Sequence, residues 1–156
     1  MRSWRRRART IRRLSMRDWA FLLEASVAVL VVRVAIMGRS FEHVLESCTL
    51  TTATSVVTSR SEVRRMATLL QTAAHYHVLA PTCLVRSLAL ASLLSRRGVR
   101  SEVRIGVRSR EGRVEGHAWV EWNGEPVLDT ADALGAYEPL NAASSRHAIV
   151  EGWSDV

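Results

Sequence analysis

The chain has 156 residues, 22 of them basic and 15 acidic, and every basic one is an arginine. A domain of this size buries roughly 70% of its unfolded surface and needs no disulfide or metal staple. Two cysteines, Cys48 and Cys83, are too few for a secreted disulfide framework, so a reducing cytoplasm is expected, with one Cys48–Cys83 bridge left open.

Eight arginines fall within the first seventeen residues. Such a block reads first as a flexible, solvated tail over residues 1–17, with an acidic peptide, a membrane surface or nucleic acid as the other partners for its charge. The remaining chain is close to neutral and has no basic patch interleaved with aromatics, so nucleic-acid binding is not expected. Residues 18–58 form an N-terminal helical segment. Asp18 is placed to cap a helix that runs to about Met37 and ends at Gly38. Its apolar stretch from Trp19 is broken by Glu24 and Arg33, and the uncharged run Ala25–Val32 is far shorter than the ~20 residues of a membrane span. The stretch also imitates a signal peptide, but it is long for one and no small-residue cleavage site follows. A buried or partner-facing helix is the reading, and membrane association is not favoured. A short helix around Phe41–Cys48 follows, then Thr49–Thr58 as a loop or one strand.

A second unit, 59–156, opens with Ser59–Glu62, which fits a capping box. The helix behind it sets Val63, Met66, Ala67 and Leu70 on one face and ends before Pro81. Thr82 is an N-cap for the next helix, Cys83 to Arg97, with Gly98 as its stop. That helix is apolar almost all round, the mark of a central element. The period then changes from 3.6 to 2. Glu102–Arg108 and Val114–Trp122 read as strands joined by a turn at Arg110–Gly112. Asn123-Gly124 is a hairpin signal, and Pro126–Thr130 reads as a third strand. Helices followed by an antiparallel sheet predict an α+β fold, a central helix packed on the sheet.

Cys83 occupies the first turn of its helix, where unpaired N–H groups and a partial positive charge favour a thiolate. Position alone does not distinguish a nucleophile from a small buried apolar residue. A nucleophilic thiol needs a base, and the base an orienting partner. His117 and Asp129 lie on the strands either side of the NG turn. With a two-residue loop, His117 faces Thr130. With a three-residue loop, Trp122-Asn123-Gly124, Asp129 lies directly across from His117, Cβ atoms about 4.5–5.5 Å apart. The three-residue loop is therefore expected, at the cost of Glu121 facing Glu125. Asp132 is the fallback orienter. Helix-start Cys, strand His and next-strand Asp form the layout of a Cys–His–Asp acyl-transfer enzyme.

The runs "CLVRSLALASLLSRRGVRSEVRIGV", "GHAWVEW" and "VLD" resemble the transglutaminase-like fold, related to papain, and within it the lasso peptide biosynthesis B2 proteins, which are leader peptidases. The resemblance covers about Arg60 to Asp129. It implies Cys83 as nucleophile, His117 as base and Asp129 as orienting acid in a cysteine protease that cuts leader from core in a ribosomally made precursor peptide. It also implies two partners, a small leader-binding protein of the B1 type and an ATP-dependent lasso cyclase. No cofactor or metal is expected.

Other residues compete. Arg86, one turn after Cys83, either touches a substrate carboxylate or supports the helix, and Trp119 sits beside His117 as a substrate contact. Gln71, His75 and Tyr76 are candidates for a second oxyanion donor. His75 and His77 point apart if helical and cannot share a metal. Cys48, His43 and His147 show no partners. Two other classes remain: a cross-linking acyl transferase of the same fold, and a basic binding module with a vestigial triad.

Overall fold

The computed structural model describes residues 15–38, 44, 59–110 and 112–140. The arginine block before Ser15, His43, Cys48, the stretch Thr49–Thr58 and His147 lie outside the described residues, as does Phe41–Cys48 apart from Val44, which is helical and buried. The chain runs α1 (Met16–Gly38), α2 (Arg60–His75), α3 (Cys83–Ser95), β1 (Glu102–Arg110), β2 (Arg113–Trp122), β3 (Glu125–Pro126), α4 (Ala131–Leu134) and β4 (Glu138–Pro139). The fold is α+β, with α3 packed on a four-stranded antiparallel curled sheet of order β3-β2-β1-β4.

Local signals explain the helix ends. Ser59 accepts from the Glu62 N–H and Glu62 accepts from the Ser59 N–H, closing the expected capping box. The Ser59 N–H, and then its hydroxyl, donate to the Glu62 carboxylate and hold it below its ordinary pKa. Thr82 caps α3 through the Val85 N–H. At the far end Gly98 takes a φ of +71°, its N–H bonds the Ser95 carbonyl at 2.9 Å, and the Val99 N–H bonds the Leu94 carbonyl at 3.0 Å. That pair of bonds is the glycine-stopped helix end the sequence called for.

The start of α1 differs from expectation. Ser15, not Asp18, is the capping residue. Its hydroxyl accepts from the Asp18 N–H at 3.3 Å, and the Asp18 carboxylate accepts from the Ser15 N–H at 2.8 Å. Asp18 thus occupies the reciprocal position of a capping box, with Met16 and Arg17 already wound into the helix. Its carboxylate also takes two hydrogen bonds from Arg65 on α2, at 3.0 and 2.7 Å. Those bonds first, then Ser15's hydroxyl and N–H, hold the Asp18 carboxyl well below the usual carboxylate range.

The core lies where the three long helices and the inner sheet face meet. Phe21, Ala25, Val29 and Val32 of α1, Val63, Ala67 and Leu70 of α2, Leu88, Leu93 and Leu94 of α3, and Ala118 and Val120 of β2 form one buried cluster. Leu70, Leu88, Leu93 and Leu94 are each under 2% exposed, and burying a side chain of that size contributes roughly 1.5–3 kcal/mol. Arg97, just past α3, clasps α1: it pairs with Glu24 at 2.5 Å, and its guanidinium lies 4.9 Å over the Phe21 ring. By length and composition α1 is able to cross a membrane, yet its inner face is core and its acids Asp18 and Glu24 are paired with α2 and with Arg97.

The sheet corrects two expectations. The hairpin loop is Asn123-Gly124 alone, both with positive φ, +52° and +76°, which is the signature of a type I′ turn. Trp122 faces Glu125 and Glu121 faces Pro126. The expected Glu121–Glu125 clash does not arise: Glu121 pairs with Arg104 and Glu125 with Arg60 at the start of α2. The third strand is also only two residues long. After Pro126 one further ladder bond forms, Val127 N–H to the Val120 carbonyl at 3.0 Å. Residues 127–129 then bend away, and Thr130, read as the last strand residue, instead caps α4. The short β4 on the free edge of β1, pairing Pro139 with Gly106 and Glu138 with Val107, has no counterpart in the sequence reading.

Candidate active site

Because β3 pairs only with Glu121 and Trp122, the edge of β2 at His117 carries no neighbouring strand from that side among the described residues. A solvent-open cleft of about 470 Å³ forms there, against the first turn of α3. Cys83, Arg86, His117, Trp119 and Asp129 all line it. Residues 83, 117 and 129 are thus brought to one cleft from a helix start, a strand and a bend.

Cys83 is a partly buried thiol, free among the described residues, and Cys48 lies outside them. It sits at the start of α3, behind the Thr82 cap. One turn on, the Ser87 hydroxyl donates to the Ala118 carbonyl at 2.9 Å, in a buried bond that ties α3 to β2 beside His117. The sequence reading passed over Ser87; it is the one buried hydroxyl of α3, and a buried hydroxyl has to find a partner.

His117 Nε2 lies 3.4 Å from Asp129 Oδ1. The pair is accessible, with side chains 24% and 36% exposed. Sheet parity does not create this contact, because a two-residue loop points a continued strand's Asp129 to the opposite side. The bend at Val127–Asp129 creates it instead, by taking Asp129 out of the ladder. With Nε2 turned to the carboxylate, Nδ1 makes no hydrogen bond among the described residues and is the nitrogen free to exchange a proton with a thiol.

The imidazole is held on its other sides. The Trp119 ring stacks beside it, centroids 6.2 Å apart at 18°, and Tyr137 stands 5.4 Å away. Arg108, paired with Glu115 at 2.6 Å, lies 4.7 Å over the Tyr137 ring. Trp119 is buried, and its indole N–H donates to Glu121 at 2.9 Å, so what it offers the cleft is apolar surface. Directly opposite His117 on β1 stands Gly106. A Cβ there would lie 3.0 and 3.1 Å from Trp119 ring carbons and 3.1 Å from the Glu138 carbonyl, so Trp119 and β4 close tightly over this position and would have to give by a few tenths of an ångström to admit a side chain.

Arg86 faces the cleft with its Nε buried and unpartnered, and its guanidinium forms no ion pair among the described residues. Of the three oxyanion candidates only Gln71, in the last turn of α2, lines the cleft. His75 packs edge-on to Tyr76, and His77, beyond the helix end, accepts the Leu79 N–H on its Nδ1 at 3.3 Å. Asp132 is exposed on α4 and does not line the cleft.

The family model for the transglutaminase-like superfamily matches residues 26–142, about three quarters of the chain. This chain belongs to the transglutaminase-like superfamily. The transglutaminase-like region begins inside α1 and takes in α2, α3 and the whole sheet, with Cys83, His117 and Asp129 within it. Its membership is consistent with cysteine peptidase or acyl-transfer chemistry. No curated protein and no solved structure matches this transglutaminase-like chain.

Proposed function

We propose that the protein is a cysteine peptidase that removes the leader from a lasso-type precursor peptide. The observation that carries this reading is the cleft itself, where Cys83 at a helix start and the His117–Asp129 pair line one solvent-open space. The superfamily match and the resemblance of the Cys83 and His117 runs to B2 leader peptidases support it.

In this reading the Cys83 thiolate adds to the carbonyl carbon of the last leader residue. The oxyanion that forms is met by the Cys83 backbone N–H and by the Gln71 side-chain amide. Protonated His117 gives its proton to the leaving nitrogen, the C–N bond breaks, and the core peptide departs with a free amine. Water then attacks the thioester while His117 takes its proton, which releases the leader carboxylate and restores the thiolate. Asp129 holds the ring and stabilises its charged form throughout. Arg86 and Trp119 contact the peptide, the first through charge and the second through apolar surface. The steps use water alone, with no cofactor. A B1-type leader-binding protein delivers the precursor, and an ATP-dependent cyclase takes the freed amine.

Mass spectrometry of a lasso-type precursor, incubated with the protein and a leader-binding partner, tests this. Separate leader and free-amine core are expected from the unmutated protein, and intact precursor from Cys83→Ala. Cleavage that survives Cys83→Ala sinks the proposal. Loss of ammonia with the chains joined would replace peptidase with cross-linking chemistry.

A further inference from the structure

The outer side of α1 is a continuous apolar stripe. Trp19, Leu23, Val27, Leu30, Val31, Val34 and Met37 are all exposed, from 46% to 81%. Their spacing of three and four residues keeps them on one side of the helix, over about 27 Å. None carries a charge, while the acids of α1 are turned inward, Asp18 to Arg65 and Glu24 to Arg97. A soluble monomer rarely shows so long an unbroken apolar surface. The helix does not traverse a bilayer in this arrangement, because its opposite side is the protein core.

The charge next to the stripe identifies what covers it. Residues 1–17 hold eight arginines and no acid, directly before and within the first turn of α1. Two copies meeting through this stripe would carry two such strongly basic segments into one assembly. An anionic lipid surface instead neutralises the arginines and accepts the apolar side chains together, with Trp19 at the arginine-bearing end, where an indole suits the headgroup level.

We infer that α1 lies flat on an anionic membrane surface, its Trp19–Met37 stripe sunk below the headgroups. The inference is independent of the peptidase proposal. The cleft stays free in this pose: α1 is clasped by Arg97 at one end of α3, and Cys83 lies at the other, about 20 Å along the helix.

Flotation of the full-length protein with vesicles tests it. One set is pure phosphatidylcholine and the other contains about a quarter phosphatidylglycerol. The protein is expected to float with the anionic vesicles and to remain largely behind with the neutral ones. The double variant Leu23→Glu/Val31→Glu is expected to lower binding about tenfold or more. Both positions are exposed, so its thermal midpoint should match that of the unmutated protein. Failure of the unmutated protein to float with anionic vesicles overturns the inference. So does undiminished binding by the double variant, which would leave the arginines acting alone. A dimer in solution that the double variant dissociates, without vesicle binding, would assign the stripe to a second copy.

Discussion

Helices α1 and α3 are both rich in apolar residues, and they end in opposite surroundings. In α3, nine of thirteen residues are buried; in α1, six of twenty-three are. Apolar content therefore does not decide burial here. In α1, Asp18 and Glu24 lie on the side that meets α2 and Arg97, and the apolar stripe faces outward. Within α3 the one ionic side chain, Arg86, lines the cleft, and the buried leucines, Val85 and alanines fill the core.

Substitutions that treat the two helices alike should break this contrast if it is false. The largest effect is expected at the centre of α3. Leu88→Ala removes a fully buried side chain and should lower unfolding free energy by about 2–5 kcal/mol in urea titrations. A loss under about 1 kcal/mol would mean that α3 is not the core element described.

The next effect belongs to the inward charges of α1. Asp18 has a depressed carboxyl pKa in the folded protein, so its contribution is complete above the unfolded carboxylate value, about 3.9, and is lost as pH falls through the depressed folded value. Asp18→Asn should be less stable than the parent by a constant margin near neutral pH, and the gap should narrow only on strong acidification. A gap that closes between pH 7 and 5 would contradict the Arg65 and Ser15 bonds. The smallest effect is expected on the stripe. Leu23→Ser, at a position 69% exposed, should leave stability within about 0.5 kcal/mol of the parent. A large loss would mean that the stripe is packed.

Features written in a few adjacent residues were legible from the sequence. The capping box at Ser59–Glu62, the Thr82 cap, the Gly98 stop and the alternation of β1 and β2 are each set by local chemistry. Even there, Ser15, which was not weighed as a cap, took the role assigned to Asp18. The arrival of Asp129 beside His117 was expected for the wrong reason. The NG loop takes the two-residue form its residues favour, and the contact depends on where β3 stops. The two-residue β4 is too short to leave a period, and the Ser87–Ala118 bond joins residues 31 apart that no local pattern links.

Gly106 opposite His117 carries a further consequence. The imidazole and its indole neighbour rest against a place in β1 defined by a missing side chain. Vulnerability to substitution in this protein is thus not confined to groups that handle substrate. On the proposed peptidase reading, a library of random variants screened for lost activity should return Gly106 alongside Cys83 and His117, although glycine there has no side chain to offer a substrate. A single methyl group at that position meets the ring wall of the cleft at 3.0–3.1 Å and has to shift it by a few tenths of an ångström.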